Sequence, residues 1–134
     1  MTVRNSISSR VTVTNSIGPI STATLGVEGT ALDTRTIAHA SRFVAFVNIG
    51  TMTEGTLTPS IVDCDTSGGS YTALTPSDGA FVAVTTANDD SVQMVSFVPN
   101  PDRPFVKVKL VETVSVTTAV PVSAGFITLP GGGI

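Results

Sequence analysis

Ser41–Leu74 reads SRFVAFVNIGTMTEGTLTPSIVDCDTSGGSYTAL, and the fold class turns on it. Phe43 to Ile49 is almost continuously apolar, with Phe43, Ala45, Val47 and Ile49 on one face of an extended chain and Val44 and Phe46 on the other. Such a run belongs to a strand covered on both sides. Gly50 and Gly55 bracket the polar turn Thr51-Met52-Thr53-Glu54, after which Leu57 to Asp65 runs back. Thr66-Ser67-Gly68-Gly69 then reverses the chain again into Tyr71 to Leu74. The stretch predicts three strands joined by two tight reversals.

On the N-terminal side, Val11 and Val13 alternate with Thr12 and Thr14 as one edge strand would, and Gly18-Pro19 breaks it. Ile20 to Leu25 reads as a second short strand. The segment up to residue 27 holds arginines and no acidic residue. It fits two descriptions equally: an extended arm reaching a neighbouring subunit, or the first strands of a sheet. Ala31-Leu32-Asp33-Thr34 reads as a strand end, and Thr36 to Ser41 as the turn into the central strand.

On the C-terminal side, Phe81 to Thr85 reads as a strand, Asn88-Asp89-Asp90 as a turn, and Val92 to Val98 as the next strand. Three prolines in Pro99 to Pro104 cannot donate to a ladder, so a true break lies there. Phe105 to Thr113 is the clearest amphipathic strand, with Val106, Val108 and Leu110 inward and Lys107 and Lys109 outward. Val120 to Leu129 is the last strand, bent at Gly125, and residues 130–134 form a glycine-rich tail.

About eight or nine strands at 8–12-residue spacing, with no helical periodicity, predict an all-β chain: a single β-sandwich, best matched by a jelly roll of about eight strands. The expected layout is an N-terminal arm or edge strands over 1–27, the sandwich over 28–129 and the tail over 130–134. Phe43, Phe46, Val47, Val106, Val108 and Leu110 are the expected core.

With 134 residues the chain can bury a sizeable core, and with 41% apolar residues disorder is not expected. Charged residues make up only 13%, where an exposed surface usually carries about a quarter or more. Part of the surface is therefore expected to be covered by a partner. Arg4 is followed by no apolar run, so no signal peptide is expected, and no stretch approaches the roughly 18 apolar residues of a membrane span. The net charge of −3 is uneven: residues 1–42 carry +2, residues 43–102 carry −7 with no Lys or Arg, and residues 103–134 carry +2. Nucleic-acid binding needs clustered cations, and this distribution argues against it.

The chemistry-bearing residues are few. Cys64 stands alone between Asp63 and Asp65, which disfavour its thiolate. His39 is the single histidine and has no second ligand at metal spacing and no serine on a strand–helix elbow. Asp63-Cys64-Asp65-Thr66-Ser67-Gly68 matches the opening of a calcium loop, but Leu74 falls where the bidentate Glu belongs. A hairpin turn held by Asp side chains explains the same residues. Asp63 and Asp65 are kept as a weak calcium candidate, with Asp78, Asp89 and Asp90 as further oxygen donors. No catalytic set and no cofactor motif is found, so no enzymatic activity is expected.

The order of these pieces resembles a family of small virion proteins of tailed bacteriophages. The resemblance rests on Leu32-Asp33-Thr34, on Phe43 to Asp65, on the Gly/Ser turn into Tyr71-Thr72, on Phe105 to Leu110 and on Val122 to Leu129. It spans roughly residues 30–129. It implies a capsid decoration (cement) protein that binds the major capsid protein on the outer surface of the virion, as a homotrimer, after synthesis in the host cytoplasm. In that reading Arg4, Arg10, Lys107 and Lys109 face an acidic shell or a neighbouring copy, and the acidic middle faces solvent. A phage tail or fibre protein is the alternative with the same composition. A carbohydrate-binding module shares the sandwich, but its sites stack sugars on exposed aromatics, and this chain has no Trp and one Tyr.

Overall fold

The β-branched, alternating segments form nine strands in the computed structural model, which describes residues 11–22, 27–37, 40–77 and 79–130. They are β1 (Thr12–Thr22), β2 (Val27–Glu28), β3 (Leu32–Asp33), β4 (Ala40–Ile49), β5 (Thr56–Cys64), β6 (Thr72–Leu74), β7 (Ser91–Phe97), β8 (Phe105–Val114) and β9 (Val120–Pro130). One 3₁₀ turn, Thr34–Ile37, sits between β3 and β4. Two antiparallel sheets result, ordered β1-β9-β4-β7 and β2-β8-β5-β6, with β3 also on β8. β2 and β3 meet β8 at Val27↔Leu110 and Leu32↔Val106, so they occupy one position as an interrupted strand. Eight positions remain, and nearly every connection crosses from one sheet to the other: the chain is a jelly-roll β-sandwich, as its pattern predicts.

Between the sheets lie the inward residues of each strand. Ala45, Val47, Ile49, Val106, Val108, Leu110, Ala124 and Phe126 are essentially removed from solvent. Phe43, Phe97 and Phe126 form a ring cluster with centroids 5.7 and 5.6 Å apart in the tilted and edge-on arrangements that ring quadrupoles favour. Ser16 is the polar pin at the margin. Its hydroxyl donates to the Thr30 carbonyl (3.0 Å) and accepts from the Val108 N–H (3.1 Å), tying β1 to the opposite sheet. Gly29 lies so close that any Cβ there would collide with Ser16.

Several expectations need correction. The first reversal of the central stretch is not a hairpin: β4 and β5 lie in different sheets, and only β5 and β6 pair, at Ile61↔Leu74 and Asp63↔Thr72. A turn of either kind fits the same glycines, and partner choice is set by packing. Phe46 is not core. It is half-buried on the outer face of β4, because alternation puts it opposite Val47 and no third layer of described residues covers it. Gly18-Pro19 does not end β1, which runs through them with register shifts between Asn15 and Ile20. Pro19 falls in the irregular register between Ile17 and Ile20 of an edge strand, where a missing ladder donor is tolerated. Residues 12–22 are thus sheet rather than arm, and the sandwich starts before residue 28.

Phe81 to Thr85 also fails as a strand. Only Val84 bridges, to Leu57. At Val82 the Gln93 side-chain amide takes the place of a neighbouring strand, accepting from Val82 N–H (2.8 Å) and donating to its carbonyl (2.9 Å). Arg4, Arg10, His39, Asp78 and residues 131–134 lie outside the described residues.

Candidate functional site

At the end of the sandwich where β5 meets the proline loop, Asp63 is 4% exposed. Arg103 covers it. Its Nε donates to the Asp63 carboxylate (2.8 Å), and its Nη2 donates to the Asp63 carbonyl (2.7 Å) and to Thr72 Oγ1 (2.9 Å). Hydrogen bonding to Asp63 raises the Arg103 pKa further, so the guanidinium stays charged. Asp65 lies exposed in the turn beyond β5, with a long contact from the Cys64 thiol (3.5 Å) and within electrostatic reach of Arg103 but outside its hydrogen bonds. The two carboxylates of the calcium candidate therefore serve different places, one of them a structural clamp. Among the described residues no group of three or more His, Cys, Asp or Glu side chains converges on a metal position.

The opposite end gathers four further carboxylates, Glu54, Asp89, Asp90 and Glu112. Asp89 accepts from Met52 N–H (2.6 Å), and Asp90 from the Thr51 hydroxyl (3.0 Å). Glu112 accepts from Val116 N–H (2.5 Å). Glu54 accepts from the hydroxyl and the N–H of Thr117, and the Thr117 hydroxyl is the main cause holding its pKa below the ordinary glutamate value. Each carboxylate caps a loop. Of the acidic middle of the sequence, Asp63 is thus buried in a clamp, Glu54, Asp89 and Asp90 cap loops, and Glu54, Asp65, Asp90 and Asp102 are exposed.

The outer face of β8 carries the lysines. Lys107 Nζ sits 4.0 Å from the centroid of the Tyr71 ring and 3.7 Å from Glu28, and Lys109 Nζ lies 3.3 Å from the same carboxylate. Both lysines are occupied within the chain, and Tyr71 has its ring under a cation and its hydroxyl on the Ser67 carbonyl (2.8 Å). Nearby, Arg35 pairs with Asp33 (2.9 Å) and lies over the Phe105 ring (5.2 Å). A hollow of about 460 Å³ between the 3₁₀ turn and the proline loop is walled by Ile37, Phe43, Pro99, Pro101 and Pro104. Arg35 at its rim is already paired.

Among the described residues no other strand lies over the outer face of the four-stranded sheet. Register places Val13, Ile127, Val44 and Ser96 in one row across β1, β9, β4 and β7. Asn15, Gly125, Phe46 and Met94 form the next, and Ser123, Asn48 and Val92 a third. None of these residues is charged. Val13 (60%), Val92 (60%) and Met94 (63%) stand well into solvent. Arg42 lies at the margin, one pair beyond the first row. Gly125 brings β1 in close, since a Cβ there would run into the Thr14 carbonyl and press on the Phe46 ring (3.1 Å). The face follows from two signals in the sequence: β4 is apolar on both sides, and β7 places Val92 and Met94 at outward positions.

No family model matches this chain, and no curated protein matches it in sequence. Among solved structures, it is similar to the CBM22-1 xylan-binding domain from Paenibacillus barcinonensis Xyn10C, at 14% identity and a TM-score of 0.45, over 92% of this chain and 88% of that one. It is also similar to a family two carbohydrate esterase from Cellvibrio japonicus, at 14% identity and a TM-score of 0.37, over 91% of this chain and 31% of that one. Scores this low carry no argument about function.

Proposed function

We propose that this chain is a structural virion protein of the decoration type, which binds the outer surface of a phage capsid and works by being covered rather than by chemistry. One observation carries the reading: a jelly roll that engages most of its described charged side chains in its own loops and clamps leaves three rows of one sheet face uncharged, with Val13, Val92 and Met94 well exposed and Arg42 at the margin. Such a face is disfavoured on a lone protein and suits an assembly. The resemblance of residues 30–129 to small phage virion proteins supplies the partner, the major capsid protein. A sugar-binding reading gains no support from the aromatics: the Tyr71 and Phe105 rings are already under cations, and Phe46 is half-buried against Gly125.

Lys107 and Lys109 pair within the chain, which leaves Arg4, Arg10 and the exposed Arg42 as the basic residues for an acidic shell. The test adds the full chain and an Arg4→Gln, Arg10→Gln variant to capsids stripped of this protein and measures occupancy against salt. Saturable occupancy, with a flatter salt dependence in the variant, supports the reading, because charges at a contact rim mainly set encounter and salt response. Absence of occupancy at low salt removes the capsid as partner.

A further inference from the structure

The open face of the β1-β9-β4-β7 sheet has dimensions that narrow what fits on it. Four strands spaced about 4.8 Å apart, paired over roughly eight residues at about 3.4 Å each, give a footprint of about 500 Å². A single helix, about 10 Å across, would cover only about half of that width. An equal sheet covers all of it, and two such faces together reach the roughly 1,000 Å² that a specific interface needs. Sheets also stack face to face readily, with strands nearly aligned at about 10 Å.

Charge points the same way. A two-fold interface lays a surface on itself, so a charge near the axis would meet its own copy. The three rows across this face carry no charge, and their polar members are the small or amide side chains Asn15, Asn48, Ser96 and Ser123. A contact with a foreign protein is usually steered by charges of opposite sign. On this sheet the one charge in the described strands is Arg42, at the margin of the face, while Lys107, Lys109 and Glu28 satisfy one another on the other sheet. Met94 and Val92 on β7, with Val13 on β1 at the far edge, give both margins of the face an apolar contact.

We infer that a second copy of this chain packs face to face on the outer side of this sheet, making a two-fold dimer whose seam is built from Val44, Phe46, Val92, Met94 and Ile127. The inference bears on the capsid reading, since a copy seated on this face leaves the capsid contact to the basic residues and the rest of the surface. It is measured on the purified chain with no capsid present, so its failure and that of the capsid reading are read separately.

The experiment is sedimentation equilibrium on the full chain, on Met94→Glu and Val92→Glu, and on Val82→Glu as a control. Val82 is equally exposed (60%) but lies off the face. The expected result is a two-chain mass for the wild type and for Val82→Glu, with the dissociation constant of the two face variants raised at least tenfold. A second measurement avoids substitution: peroxide oxidation of Met94 should slow as the wild-type chain is concentrated, while oxidation of buried Met52 stays slow throughout. A monomer at every concentration overturns the inference and leaves the face to another protein. A three-chain mass, or a dimer indifferent to Met94→Glu with Met94 oxidised at an unchanged rate, overturns it as well, because the contact then lies elsewhere.

Discussion

Removing Arg103 strands a buried charge. In Arg103→Met the Asp63 carboxylate loses its Nε donor, and the Asp63 carbonyl and Thr72 hydroxyl lose the Nη2 contacts. Breaking a fully buried ion pair by deleting one partner typically costs about 3–5 kcal/mol. The Asp63 side chain is 5% exposed but that of Arg103 is 31% exposed, so water reaches the vacated site and the expected cost falls to about 2–3 kcal/mol. Urea unfolding followed by circular dichroism should show the midpoint falling with an unchanged slope. The thermal midpoint should drop by roughly 3–5 °C per kcal/mol lost for a chain of this size. Asp63→Asn removes the charge and keeps a polar group, so the double variant should recover part of the loss, with a coupling of about 1–2 kcal/mol. Calcium should leave the wild-type midpoint where it is, since the carboxylate is committed to Arg103. A coupling near zero, or a calcium-dependent rise in the midpoint that Asp63→Asn abolishes, would refute the clamp and restore the metal site.

Phe126→Ala should cost about 3–5 kcal/mol, because the ring is wholly buried against Phe97, while Phe46→Ala on the outer face should cost about half that or less in the same unfolding assay. Gly125→Ala should destabilise by about 1–3 kcal/mol and shift the β1 amide resonances, since the added methyl meets the Thr14 carbonyl. The lowered Glu54 pKa sets a sign: the folded state prefers the ionised form, so its contribution is present above the ordinary glutamate range and is lost as pH falls through the folded value. Amide exchange at Thr117, corrected for intrinsic pH effects, should therefore lose protection on acidification in the wild type, and Glu54→Gln should remove that pH dependence.

Strand identity came largely from the chain itself. β8 is amphipathic in its own residues, with Val106, Val108 and Leu110 inward and Lys107 and Lys109 outward, and β4 is apolar throughout. A period of two, β-branched residues and Gly/Pro punctuation act locally, so an all-β sandwich of about eight strands was legible without coordinates. Asp63 was singled out but its role was not, because its partner lies 40 residues away and nothing in DCDTSG records Arg103.

Tertiary structure decided the rest. Whether β4 turns into a hairpin or crosses to the other sheet depends on which strands bury each other's apolar faces, and the turn residues are compatible with both. Phe46 read as core because the sequence pattern shows that a face is apolar but not whether another layer lies over it. The −7 block dispersed for the same reason: Asp63 was carried to a guanidinium at one end of the sandwich, and Glu54, Asp89 and Asp90 to loops at the other. Local periodicity fixes which way a side chain points relative to its own strand, and only long-range pairing fixes what it points at.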